Sequence, residues 1–86
     1  MAEITRFFGI IIYIYYHDHP PPHFHAVYGN YSVLITIDDL SLFAGFLPPR
    51  ALGLVIEWAS IHQEELKKVW KQAEDHQKLD KIEPLK

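Results

Sequence analysis

Blocks of apolar residues alternate with turn residues over the first half of the chain. Residues 9–16 are almost all β-branched or aromatic, which predicts a central strand with two apolar faces. Shorter blocks at 23–28, 31–37 and 42–46 predict three further strands, the last of them weaker. A Gly-Asn pair between the second and third blocks is typical of a two-residue hairpin turn. The pattern predicts an antiparallel β-meander of three to four strands.

The second half of the chain has the spacing of a helix. From Leu52 onward, apolar residues recur every three or four positions, as on one helical face. We predict one long C-terminal helix over about 49–75, packed on the sheet, which makes the fold class α+β in a single domain, 1–86. Its apolar stripe needs either a large sheet beneath it or a partner. Three residues widen this stripe, namely Leu54, Trp58 and Ile61.

Composition and charge narrow the classes of function. The chain of 86 residues is 49% hydrophobic and has no cysteine, so we expect one small packed domain without disulfides or thiolate metal ligands. A formal net charge of −3, without a lysine or arginine cluster, disfavours nucleic acid as a partner. The N-terminal apolar run is about half a bilayer span and lacks a cleavage pattern. We therefore expect no membrane segment and a cytoplasmic location.

Four of the six histidines fall in one short segment, HDHPPPHFH. Its three prolines, Pro20–Pro22, predict a stiff, histidine-rich loop close to polyproline II between two strands. His23 and His25 are two apart on a predicted strand and therefore leave the same face. Together with His19 they are candidate ligands for a divalent metal such as Zn²⁺. Asp18 is either a ligand or the carboxylate that orients an imidazole.

Other roles for these residues stay open. Imidazoles beside prolines and aromatic rings commonly hydrogen-bond to backbone carbonyls, and acid–base chemistry without metal is a third alternative. On the helix, His62 is either a functional group or a structural histidine bonded to a carbonyl or to Glu65. No nucleophile context is recognisable, so catalytic residues stay unassigned. The candidate functional cluster comprises Asp18, His19, His23, His25 and His62.

Longer motifs resemble a known family. The stretch DHPPPHFHA, the stretch LPPRALGLVIEWASIHQEEL, Trp70 and the closing KIEPL resemble the small bacterial family catalogued as domain of unknown function 4160. The resemblance implies a short cytoplasmic protein without established activity. Many members are encoded beside another small protein, which implies a component of a toxin–antitoxin-like two-gene system.

Two classes of function follow from these observations. The first is a protein-interaction module that forms a homo-oligomer, such as a homodimer, or binds a small protein partner; the incomplete catalytic constellation favours this non-enzymatic class. The alternative is a metal-dependent hydrolase or nuclease that uses the His19, His23 and His25 cluster.

Overall fold

The structure, a computed structural model, describes residues 2–86. Within this range a five-stranded antiparallel sheet is followed by two helices, and the strands lie side by side in chain order. The α+β class and the meander topology predicted from the sequence are confirmed. The elements are β1 (Ala2–Phe7), β2 (Ile10–Ile14), β3 (His23–Tyr28), β4 (Tyr31–Thr36), β5 (Leu42–Phe46), α1 (Pro49–Ile61) and α2 (Gln63–Glu74).

The first strand was predicted wrongly, both in its bounds and in the total number of strands. The strand predicted at 9–16 is β2, which covers only Ile10–Ile14. A further strand, β1, precedes β2 and pairs with it. The chain reverses at Phe8 and Gly9, whose φ angles of 50° and 80° are both positive. Polar residues in β1 hide its strand character in the sequence, as is common for strands at a sheet edge. The sheet therefore has five strands rather than three to four.

The prediction of one long helix is also wrong, because the helix is broken at His62. This residue has φ −116° and ψ 23°, outside helical geometry, and its backbone N–H donates to Ala59 O at 3.1 Å. Immediately after the break, the Gln63 side chain donates to Ile37 O at 2.8 Å and to Asp38 O at 3.0 Å. These bonds tie the start of α2 to the chain that follows β4, and α2 packs on the core through residues such as Leu66 and Val69. Neither helix in residues 2–86 has the length and apolar character needed to cross a membrane.

The hydrophobic core lies between the helices and one face of the sheet, with Trp58 at its centre. Trp58 is fully buried, and its ring lies 5.6 Å from that of Phe7 and 5.9 Å from that of Phe24. The other two residues that widen the apolar stripe of the helix are less buried than Trp58. Leu54 is half-buried, whereas Ile61 is 64% exposed. Of the three residues that widen the apolar stripe, only Trp58 is therefore fully enclosed by the core.

The C-terminal segment after α2 is extended and docked. Ile82 is buried, Leu85 packs against the core, and the Ile82 N–H donates to Ile4 O of β1 at 3.2 Å. The indole N–H of Trp58 donates to Glu83 O at 2.8 Å. The segment covers the outer edge of β1, which is one of the two edges of the sheet.

Candidate functional site

Three side chains of the histidine-rich segment converge on one point. The ring nitrogens His23 Nε2 and His25 Nε2 each lie 3.0 Å from the same carboxylate oxygen, Asp18 Oδ2. One ligand atom from each residue can be chosen such that all three lie within 4.8 Å of one another. Two imidazoles and one carboxylate at this separation have the composition and the spacing of a metal-binding group.

The alternation of β3 places the two imidazoles together. Phe24, between them, is fully buried and packs on Trp58, whereas the His23 and His25 rings lie on the opposite side of the strand with centroids 5.2 Å apart. Successive residues of a strand point to opposite faces, so a two-residue spacing returns to the same face. The shared face of the two histidines was predicted from the sequence.

The loop between β2 and β3 brings Asp18 to the histidines. The peptide bond between Pro20 and Pro21 is cis, and both residues lie in a bend. The chain thus bends at these two prolines, where the sequence predicted a stiff loop close to polyproline II. The Asp18 carboxylate is held at its other oxygen, because the His19 backbone N–H donates to Asp18 Oδ1 at 3.1 Å.

His23 is enclosed and is held in one orientation. Its side chain is 3% exposed, and its Nδ1 lies 2.7 Å from Pro21 O. A carbonyl oxygen only accepts, so Nδ1 carries the hydrogen of this bond. The ring also packs on Trp70 of α2, with centroids 5.3 Å apart, and on Phe43 of β5, at 5.8 Å. The other ring nitrogen, Nε2, is buried and makes no hydrogen bond, although it lies 3.0 Å from Asp18 Oδ2.

His25 and Asp18 lie nearer to solvent, with side chains 20% and 22% exposed. The edge of the His25 ring meets the Tyr15 ring with centroids 4.4 Å apart, and His25 Nε2 donates to Asp18 Oδ2. Partial burial raises the pKa of Asp18, but the hydrogen bond from His25, the electrostatic interaction with His23 and the hydrogen bond from the His19 backbone outweigh it. The pKa of Asp18 is therefore held below its usual value. The carboxylate is ionised at neutral pH, which is the form that binds cations.

The other two candidate residues lie apart from this group. The side chain of His19 is exposed, and His19 is not a member of the metal-binding group. His62 lies at the junction of α1 and α2, where its Nδ1 is 2.5 Å from Glu65 Oε1 and its ring packs on Trp58 at 5.5 Å. The structure thus shows the bond to Glu65 that the sequence analysis offered as the structural alternative for His62.

A cleft beside the group contains residues that the sequence analysis missed. Its volume is about 260 Å³. Asp18 belongs both to this cleft and to the metal-binding group, and a second histidine pair, His17 and His76, has ring centroids 4.5 Å apart. Only a three-dimensional structure brings residues 17 and 76 together, since no local pattern links them. The cleft is lined by Tyr15, His17, Asp18, Trp70, Ala73, Glu74 and His76.

The fold and the site define a small α+β protein with a His/His/Asp group beside an aromatic cleft. Over residues 9–71 the chain matches the family model described as a domain of unknown function (DUF4160). The chain therefore belongs to this family, and the resemblance noted in the sequence is confirmed. The match includes Asp18, His23 and His25 but not the docked C-terminal segment. Neither the curated proteins nor the solved structures compared with the chain include a match.

Proposed function

We propose that the protein is an interaction module that pairs with a second copy of itself through the outer edge of β5. The observation that carries this proposal is an edge strand that is exposed, apolar and uncharged. All five residues of β5 are exposed, and Leu42, Phe43 and Phe46 have exposed fractions of 50%, 51% and 58%. An open edge of this kind presents unpaired N–H and C=O groups and readily accepts another strand.

The opposite edge of the sheet gives a direct comparison within the same chain. β1 contains the charged residues Glu3 and Arg6, and the C-terminal segment covers it through the bond from Ile82 to Ile4. Lys81 Nζ also donates to Glu3 O at 2.6 Å. Natural proteins protect edge strands by charge or by a covering segment. Both protections are found at β1, whereas β5 has no charged residue.

A second copy fits this edge because the strand is compatible with itself. When two β5 strands pair antiparallel about a twofold axis, no charged side chain of one strand faces a charge of the same sign on the other. This holds although each chain has a net charge of −3. The result is a continuous ten-stranded sheet with the exposed side chains of Leu42 and Phe46 repeated across the axis. A strand rich in phenylalanine supplies apolar area, and the paired backbones supply directional hydrogen bonds.

The test is the oligomeric state of the double variant Leu42→Lys/Phe46→Lys. We expect the parent chain to be a dimer and the variant a monomer, because lysines on an edge strand repel a second copy and keep the edge solvated. Sedimentation equilibrium or light scattering measures the mass. Circular dichroism of both proteins checks that the monomer is folded.

Ile61→Lys is the matched control, because Ile61 is equally apolar, is 64% exposed, and lies at the end of α1 rather than in β5. This variant should remain dimeric. A parent chain that is monomeric at high concentration, or a double variant that is still dimeric, contradicts the proposal.

A further inference from the structure

We infer that Asp18, His23 and His25 bind a divalent transition-metal ion such as Zn²⁺. This inference is independent of pairing through β5, since it concerns ligand atoms within one chain. It also differs from the ligand set predicted from the sequence, because Asp18 replaces His19 as the third ligand.

The Nε2 nitrogen of His23 is buried without a hydrogen-bond partner. Nδ1 donates to Pro21 O, so the neutral ring presents a lone pair at Nε2. That nitrogen is buried, makes no hydrogen bond, and lies 3.0 Å from Asp18 Oδ2, itself an acceptor. A buried polar atom without a partner costs free energy. A cation between the two acceptors converts this unfavourable contact into two coordinate bonds.

The orientation of His23 supports the same conclusion. Metal-binding histidines almost always donate their other ring N–H to a carbonyl or carboxylate, which selects the tautomer and aims the ligating nitrogen. The Pro21 carbonyl performs this role for His23 at 2.7 Å. The rings of Trp70 and Phe43 pack around the imidazole and hold it in place. His23 is therefore already oriented for coordination through Nε2.

The spacing of the ligand atoms fits a tetrahedral ion. With metal–ligand distances of ~2.0–2.1 Å, two ligands of a tetrahedral Zn²⁺ lie about 3.3 Å apart. Both nitrogen–oxygen distances here are 3.0 Å, and the full set of ligand atoms lies within 4.8 Å. Side-chain rotations that bring the ligand atoms to about 3.3 Å from one another place all three around one ion. His25 then loses the hydrogen at Nε2, either to solvent or by transfer to Nδ1 in the other tautomer, and its hydrogen bond to Asp18 is replaced by a bond to the metal.

The donor set selects the class of metal. Ca²⁺ and Mg²⁺ prefer oxygen ligands, whereas imidazole suits Zn²⁺, Ni²⁺, Cu²⁺ and iron. Three protein ligands leave one tetrahedral position for water or for a small ligand. Asp18 also lines the cleft of about 260 Å³, so solvent has access to the group.

The experiment measures binding of Zn²⁺ and Co²⁺ to protein purified without a histidine tag and treated with a chelator. Isothermal titration with ZnCl₂ should show one ion per chain, and Co²⁺ should give the visible absorption of a tetrahedral site. Asp18→Asn and His25→Ala should each weaken Zn²⁺ binding at least about 100-fold, because even changes outside the ligand shell cost 10–100-fold. Both positions are partly exposed, so these variants should remain folded; His23→Ala removes a buried ring and is the less informative variant.

Two controls separate this site from other histidines. His19→Ala and His76→Ala should each bind Zn²⁺ within about twofold of the parent, since neither belongs to the group. Absence of both the calorimetric signal and the cobalt spectrum at millimolar metal overturns the inference. Binding that is lost in His19→Ala or His76→Ala but kept in Asp18→Asn overturns it as well.

Discussion

The variant Trp58→Ala will unfold at a much lower urea concentration than the parent chain. Trp58 is fully buried, and its ring contacts Phe7, Phe24 and His62. Truncating a buried tryptophan to alanine lowers the free energy of unfolding by ~3–5 kcal/mol. The loss combines the transfer free energy of the removed atoms with the cost of the cavity that remains. The whole stability of a domain of this length is on the order of 4–13 kcal/mol. Urea unfolding followed by circular dichroism measures the difference.

Trp58→Phe is the informative companion, because it retains a ring in the core and removes only part of the volume and the N–H donor. The Glu83 carbonyl then loses the hydrogen bond of 2.8 Å that Trp58 provides. We expect a loss of about 1–3 kcal/mol in the free energy of unfolding. Hydrogen exchange at Ile82, whose amide is bonded to β1, should accelerate, since Glu83 is its neighbour. A loss below ~1 kcal/mol for Trp58→Ala contradicts the central place given to this residue.

Gly45→Ala will destabilise the protein by at least ~2 kcal/mol, because two independent penalties act at one position. Gly45 has a φ of 87°, a region that residues with a side chain rarely adopt. An added Cβ would lie 2.3 Å from Ser32 O and 3.0 Å from Val33 Cα. Both contacts are with the backbone of the neighbouring strand, β4, so they can be relieved only by moving the strands apart. The midpoint of urea unfolding reports the loss.

Gly53→Ala is the matched control, because it adds the same methyl group to the same residue type. Gly53 lies in α1, and an added Cβ meets no atom within 4 Å. Alanine there should stabilise the protein by about 0.5–1 kcal/mol, through its higher helix propensity. Opposite signs for the two substitutions are the expected result. A neutral or stabilising Gly45→Ala would mean that β5 does not approach β4 as closely as described.

The strands whose bounds the sequence predicted best are those that lie between turn or proline residues, even where the strand pattern itself was weak. The observed β3, at His23–Tyr28, and β5, at Leu42–Phe46, agree with the predicted bounds. Each is a short run flanked by turn-forming or proline residues, which define where the strand begins and ends. In contrast, β1 mixes polar and apolar residues and becomes a strand only by pairing with β2. Local propensity is a weak guide where partner strands supply the stability.

The break between the helices was missed for a related reason. Apolar spacing continues on both sides of His62, and no proline or glycine marks the junction. The break is defined by tertiary contacts, namely the hydrogen bonds of Gln63 to the carbonyls of Ile37 and Asp38. These carbonyls lie more than twenty residues earlier in the chain, so a pattern read within one helix cannot include them.

The amino-acid sequence alone determined the α+β class, the meander and the shared face of His23 and His25. All three depend on alternation and turn residues, which act between neighbours in the chain. The tertiary structure alone decided that Asp18 rather than His19 completes the group, and that Trp70 of α2 encloses His23. It also decided which sheet edge is covered and which is open. These outcomes depend on how a bent loop and distant elements pack together, and packing of that kind has no periodic signal in the sequence.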